Sequence, residues 1–203
     1  MNPERHTRDG GRVADDALLD AAKECVLADG VRRTTLTGIA KAAGVSRMTL
    51  YRRFPDVRSV LAALMTREFS ALLQGISGDL DTGDTARARL VAHAVAGVRH
   101  LGTDPLLRTV LDRDAELLLP YITERLGATQ RVAEDGLRAF VDQGHTDGSI
   151  RVGDPSTQAR SLLLLLQSFV LSRRPATTDD ESTVDDDALL DELAHLLEGA
   201  LKP

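Results

Sequence analysis

The 203-residue sequence predicts an all-α protein of about nine helices, in which a small N-terminal three-helix domain precedes a larger helical bundle. Three observations carry that expectation. Apolar residues recur at spacings of three and four along most of the chain, the period of a helix with one buried face. Aromatic residues make up only 3% and tryptophan is absent, so the core is aliphatic and alanine-rich, which suits packed helices. Glycine, proline and short polar residues fall where the periodic stretches begin and end, as caps and breaks should.

Residues 1–13 are polar, contain Arg5, Arg8 and Arg12, and lack an apolar signal segment; they read as a flexible arm. The first helix covers 14–29. Its stripe is Leu18, Leu19, Ala22, Cys25 and Val26, and Gly30 ends it. Cys25 is the single cysteine, which excludes an internal disulfide, and its position on the stripe makes it a small core residue. A short helix over 37–43 turns Ile39 and Ala40 inward. Gly44 breaks it, Ser46 is a good N-cap, and a second short helix over 47–54 puts Leu50 and Phe54 on one face. Pro55 and Asp56 stop that helix and cap the next, over 56–74. This helix is too long for the small domain alone. The expected division is therefore an arm at 1–13, a small domain at 14–61 and a helical body at 62–203.

Residues 75–84 read as a loop by composition. The helix over 85–101 is apolar around most of its circumference (Leu90, Val91, Ala94, Val95, Val98), as a central helix would be. Short helices follow over 105–112 and 113–119, then a stop at Pro120 and a long helix over 121–143. A turn at 144–148 comes next, with Ile150 and Val152 expected to seat it in the core. The helix over 154–173 opens at Asp154 with Pro155 in its first position. Leu162 to Leu166, Phe169, Val170 and Leu171 surround it with apolar surface, so one face meets its own core and the other needs a second subunit. After a polar linker over 174–183, a last helix over 185–201 begins on Asp185, Asp186 and Asp187, which complement the positive end of its dipole. Its leucines, from Leu189 to Leu201, repeat at three and four. The helices at 154–173 and 185–201 are read as the interface of a two-fold homodimer, a four-helix bundle across the axis.

Within 34–61, two short helices joined by a glycine-containing turn form a helix-turn-helix, whose second helix enters the major groove of double-stranded DNA. Charge agrees. Residues 31–60 hold seven basic side chains and one acid, a net of +6, within a chain of net charge −6. Residues 61–203 carry 14 basic and 23 acidic side chains, a net of −9. Phosphate binding needs a local basic surface rather than a basic protein.

Thr35-Leu36-Thr37, Ile39-Ala40, Ala43-Gly44-Val45-Ser46, Thr49-Leu50-Tyr51 and Phe54, with a new helix after Asp56, resemble the DNA-binding domain of TetR/AcrR-type transcriptional regulators over about residues 15–64. The resemblance implies a ligand-responsive regulator, by family default a repressor. It would bind a near-palindromic operator as a dimer and release it when a small lipophilic molecule binds among the helices of the body. It places base-edge contacts on Thr37, Arg47, Met48 and Thr49, and phosphate contacts on Thr35, Tyr51 and Arg53. Ser46, Arg52 and Arg58 join the DNA-facing set by position and charge. Tyr51 has an alternative place on the apolar face of its helix. One position departs from the pattern: the family carries Lys just after the position of Asp56, and here Val57 stands there. Arg58 follows, about 100° further round the helix.

No glycine-rich phosphate loop, nucleophile constellation or metal-ligand spacing is present, so no catalytic residue, metal or cofactor is expected and the chain does not read as an enzyme. His93 and His100 are candidates for polar contacts with the small-molecule effector. Seven residues apart on one helix, they lie about 10 Å from each other, too far to share a metal. The longest leucine run, 162–166, is far short of a membrane span, so the expectation is a cytoplasmic protein with no membrane partner. Two rival readings stand beside the regulator: a helical ligand-binding or interaction protein that has lost operator binding, and an enzyme using the C-terminal cavity.

Overall fold

The structure is a computed structural model that describes residues 4–79, 83–178 and 184–203. The arm expected at 1–13 and the loops expected at 75–84 and 174–183 therefore lie partly outside the described residues. Within them the chain forms ten α-helices, one 3-10 turn and no strand. The helices are α1 (Glu4–Asp29), α2 (Leu36–Ala42), α3 (Arg47–Arg53), α4 (Val57–Asp79), α5 (Ala86–Thr103), α6 (Pro105–Arg113), α7 (Leu119–Thr123), α8 (Ala128–Thr146), α9 (Pro155–Thr178) and α10 (Asp186–Leu201), with the 3-10 turn at Ala115–Leu118.

The caps read in the sequence, Ser46 and Asp56, start α3 and α4, and Thr35, expected only as a phosphate contact, also caps and starts α2 at Leu36 rather than at 37. Thr35 accepts from Gly38 N–H at 3.0 Å, Ser46 from Thr49 N–H at 3.1 Å, and Asp56 from Ser59 N–H at 2.7 Å. Each such cap is worth about 1 kcal/mol. Asp185 caps α10 by accepting from the N–H groups of Asp187 and Ala188. Three other helix ends run further than expected. Helix α1 starts at Glu4 rather than near residue 14, α4 continues to Asp79 rather than 74, and α9 reaches Thr178 through Pro175. The apolar stripe that locates a helix in sequence ends before the helix does, because lengthening an existing helix needs no new nucleus.

The helix expected over 121–143 is divided. Pro120 lies in the first turn of α7, where its missing N–H costs nothing, and does not act as a stop. The break falls instead at Gly127, whose N–H donates to Gln130 Oε1 at 2.7 Å and so starts α8. Ile150 is buried as expected, but Val152 is 92% exposed. Residues 147–154 form an irregular turn, in which a spacing of two does not return a side chain to the same face. Ile150 packs so closely on Gly144 that a Cβ there would lie 2.4 Å from its side chain.

The chain divides into two compact units. The first holds residues 1–68 together with 105–125. Its core joins Leu18, Leu19, Ala22 and Val26 of α1, Ile39 and Ala40 of α2, Leu50 of α3, Val60 and Leu64 of α4, and Leu106 and Val110 of α6. This unit takes in residues 105–125 as well as the stretch that holds the expected small domain, 14–61. Cys25 packs partly buried against this core, and burial pushes its thiol up. The second unit holds residues 69–104 and 126–203. In it α5 buries Leu90, Val91, Ala94 and Val98 against Val141 of α8, Leu162 of α9 and Leu190, Leu193, Leu197 and Leu201 of α10. The central place expected for this helix is the one it holds within the unit.

Candidate nucleic-acid interface

Helix α3 is seven residues long, and its sequence decides which way each one faces. Leu50 has no exposed surface and Phe54, just past its end, is half-buried against the same core. Truncating Leu50 to Ala would cost about 2–5 kcal/mol. With that side pinned, Arg47, Met48, Thr49, Tyr51, Arg52 and Arg53 are all turned outward. Met48 is 71% exposed and Tyr51 51%, so Tyr51 is not a core residue. Gly44 makes the turn between α2 and α3 possible, because its φ of 66° is a conformation other residues adopt only under strain.

The remaining positions expected to face DNA fall into distinct settings. Ser46 and Thr49 share a hydrogen bond between their hydroxyls at 2.8 Å, which leaves the Thr49 methyl group as its outward contact. Thr35 is exposed at the start of α2, and Thr37 is half-buried in its first turn. Val57 is half-buried and packs against the core, so it offers nothing to a phosphate, while Arg58 is exposed beside it.

The seven basic residues of 31–60 divide by partner. Arg33, Lys41, Arg47, Arg52 and Arg58 are exposed and make no ion pair among the described side chains. Arg32 is turned to Glu116 and Asp114. Its bond to Glu116 pushes its own guanidinium further up and holds the Glu116 carboxyl below the usual range. Arg53, expected to contact phosphate, pairs with Asp15 of α1, and that bond raises the guanidinium further.

Two residues that the sequence reading overlooks brace this surface from behind. At the end of α6, Arg113 Nη1 donates to the Ala28 carbonyl at 3.1 Å and so helps satisfy the C-terminus of α1. The adjacent Asp114 is only 2% exposed and accepts from Val31 N–H at 2.8 Å. Together they hold both sides of the α1–α2 turn. Their only sequence signal is a charged pair at the end of an amphipathic helix, and that pattern usually marks solvated surface.

The histidines are not brought together. His93 is half-buried, donates from Nδ1 to the Arg89 carbonyl at 2.7 Å, and leans on Phe140 with ring centroids 5.1 Å apart. His100 is exposed and bonds the Ala96 carbonyl. It lines an open groove of about 370 Å³ on the second unit with Ala92, Val95, Ala96, Arg99 and Ala194. Among the described residues no group of three or more His, Cys, Asp or Glu could hold a metal, and no helix is long and apolar enough to cross a membrane.

Known proteins match this arrangement. The family described as bacterial regulatory proteins, tetR family, matches residues 18–64. An uncharacterized HTH-type transcriptional regulator of Mycobacterium bovis is 41% identical over 192 residues, covering 95% of this chain and 94% of the relative. Among solved structures, the transcriptional regulator FadR from Bacillus subtilis in complex with stearoyl-CoA superposes with a TM-score of 0.60 at 20% identity, over 91% of this chain and 98% of that one. The TetR family repressor AlkX from Dietzia sp., implicated in biodegradation of n-alkanes, does so with a TM-score of 0.64 at 21% identity, over 90% and 92%. A helix-turn-helix whose second helix exposes six of its seven side chains, in a chain with relatives of that description, marks an HTH-type transcriptional regulator. This chain belongs to the TetR family of those regulators.

Proposed function

We propose that the protein is a repressor that binds a near-palindromic operator as a homodimer and releases it when a small, lipophilic molecule occupies the second unit. The observation that carries the DNA half is the outer face of α3. Six of its seven side chains are exposed, and of its three arginines Arg47 and Arg52 make no ion pair among the described side chains. Arg47 then pairs with guanine, Met48 and the Thr49 methyl group meet thymine methyls, and Thr37 reads from α2. Arg52, Arg53, Arg58, Tyr51 and Thr35 engage phosphates, with Ser46 fixing the helix start.

Dimerisation through α9 and α10 is supported by leucines left outside. Leu164 of α9 is 56% exposed and Leu196 of α10 46% exposed, on helices whose other faces fill the core of the second unit. Two protomers related by a two-fold axis present two α3 helices to successive major grooves. Engaging both at once gives tight binding, so a small change in their separation is enough to release DNA. The lipophilic effector is supported by the aliphatic make-up of the second unit and by the stearoyl-CoA bound to the B. subtilis regulator of like fold.

Selection of bound duplexes from a random pool tests this reading. Wild-type protein should enrich a near-palindrome that Arg47→Ala does not. If protein freed of co-purified ligand by unfolding and refolding enriches no sequence, the reading fails.

A further inference from the structure

We propose that Asp15 is a specificity-determining residue: by holding Arg53 as an internal counter-ion on the α3 surface, it suppresses binding to DNA of unrelated sequence. The inference rests on the DNA-binding reading above. Asp15 comes from α1, 38 positions before Arg53, and its carboxylate accepts from Arg53 Nη2. The Asp15 side chain is 28% exposed and that of Arg53 52%, so the pair lies at the surface that faces DNA and stays open to it. The Asp15 side chain makes no other hydrogen bond or ion pair among the described residues. The other paired arginine of this stretch, Arg32, is bound to residues that close the turn behind the interface. Asp15 therefore serves Arg53 alone, and at the one place where an acid competes with a phosphate.

An exposed ion pair adds little to folding stability. Its consequence is competition. The Asp15 carboxylate and a phosphate oxygen are alternative acceptors for one guanidinium. While Asp15 holds it, Arg53 neutralises no phosphate and releases no cation from the duplex. Binding to unrelated DNA comes almost entirely from such neutralisation, so it loses one contact per recognition helix. Operator binding has a second source of free energy in the base contacts of Arg47, Met48 and Thr49. These fix the register that carries a phosphate to Arg53 and displaces Asp15. The acid thus weighs on non-specific binding more than on the operator complex.

The test is a salt titration of duplex binding with the full chain. A random-sequence duplex is titrated with wild type, Asp15→Asn, Arg53→Gln and the double variant, and thermal melting confirms that each is folded. Asp15→Asn should bind the random duplex more tightly than wild type. Its plot of log affinity against log salt should be steeper by about 0.9 per recognition helix. A fourfold rise in salt then costs it about 3.5-fold more affinity per helix than it costs wild type. In the Arg53→Gln background the same change at position 15 should leave the slope unaltered. Equal tightening in both backgrounds would mean that Asp15 acts through its charge and not through Arg53, and overturns the proposal. So does an Asp15→Asn variant that gains nothing while wild type binds. If neither wild type nor any variant binds any duplex, the DNA-binding reading itself falls, and this proposal with it.

Discussion

Replacing Asp114 by Ala should loosen the turn that leads into α2. The carboxylate is 2% exposed and accepts from Val31 N–H at 2.8 Å, in a residue that is itself buried. Ala removes the acceptor and leaves that donor with no partner. A buried donor left unsatisfied costs about 1–3 kcal/mol, and a bond to a charged acceptor lies in the upper part of that range. The Arg32 Nε lies 3.4 Å from the other carboxylate oxygen, but Arg32 is largely exposed and keeps its bond to Glu116. Its loss from Asp114 adds little in water. The expected destabilisation is therefore about 2 kcal/mol, or roughly a 30-fold rise in opening of the turn.

Two assays read it. Urea unfolding of Asp114→Ala should show the loss, and Asp114→Asn, which keeps an acceptor oxygen, should lose less. Hydrogen exchange resolved to residues 30–36 should show the rise in exchange where Val31 and Thr34 lie. Thr34 already bonds back to Gly30 and Val31, so the turn has some order of its own that the variant retains. If Ala at 114 costs under about 0.5 kcal/mol and protection over 30–36 is unchanged, Asp114 does not hold the turn and the argument from burial fails.

Other expectations follow from the same geometry. Arg47→Ala should lower operator discrimination by about 1–3 kcal/mol at one base pair in each half-site, while Arg52→Ala weakens all duplexes and reduces the salt slope by about 0.9 per recognition helix; competition binding with operator and random duplex separates them. Gly144→Ala forces a Cβ to within 2.4 Å of the buried Ile150 side chain and should cost about 1–3 kcal/mol in thermal or urea unfolding. Burial pushes the Glu68 carboxyl up, but bonds from Lys23 and Arg67 outweigh it and hold it below its ordinary 4.5. A depressed carboxylate gives stability that is present above the unfolded value and is lost as pH falls through the folded one, so Glu68→Gln should destabilise at pH 7 and converge with wild type in acid. Leu164→Asp should convert a dimer to monomer in sedimentation, and an unaltered dimer would move the interface away from α9.

What was legible in the sequence was what local chemistry decides. Ser46 and Asp56 are caps because a short oxygen-bearing side chain reaches its own helix start, whatever the rest of the chain does. Gly44 marks a turn because few residues tolerate its φ. The outward set of α3 follows from Leu50 alone once the helix is known, since seven residues span only two turns. The break between α7 and α8 was less legible, because Pro120 and Gly127 compete as breakers and only position within the helical turn separates a starting proline from a stopping one. The polar extensions of α1 and α9 carried no apolar period to be read, whereas in α4 the buried Ile76 continues the spacing of Phe69 and Leu72 but sits beside Gly75, which reads as a loop.

What was not legible is what distance in sequence conceals. Asp15 and Arg53 are 38 residues apart, and Val31 and Asp114 are 83 apart. Nothing in either neighbourhood names its partner. The consequence reaches the domain boundary itself. A periodic stretch such as 105–113 shows that a helix has an apolar face, but not which core receives it. Leu106 and Val110 go to the core of α1 to α4, and Arg113 and Asp114 then fall beside the α1–α2 turn. The helix-turn-helix therefore has its entry braced by residues that the chain supplies only after it has built α5 of the second unit. A fragment ending near residue 68 would carry every DNA-facing side chain named here and lack that brace. It should bind duplex with the same salt slope per recognition helix as the full chain, set by the same arginines. Its operator affinity should be lower even at equal valency, because Thr35 and Thr37 would start from a loosened turn. Equal affinity of a forced dimer of the fragment and of the full chain would show that residues 105–125 matter for folding and not for recognition.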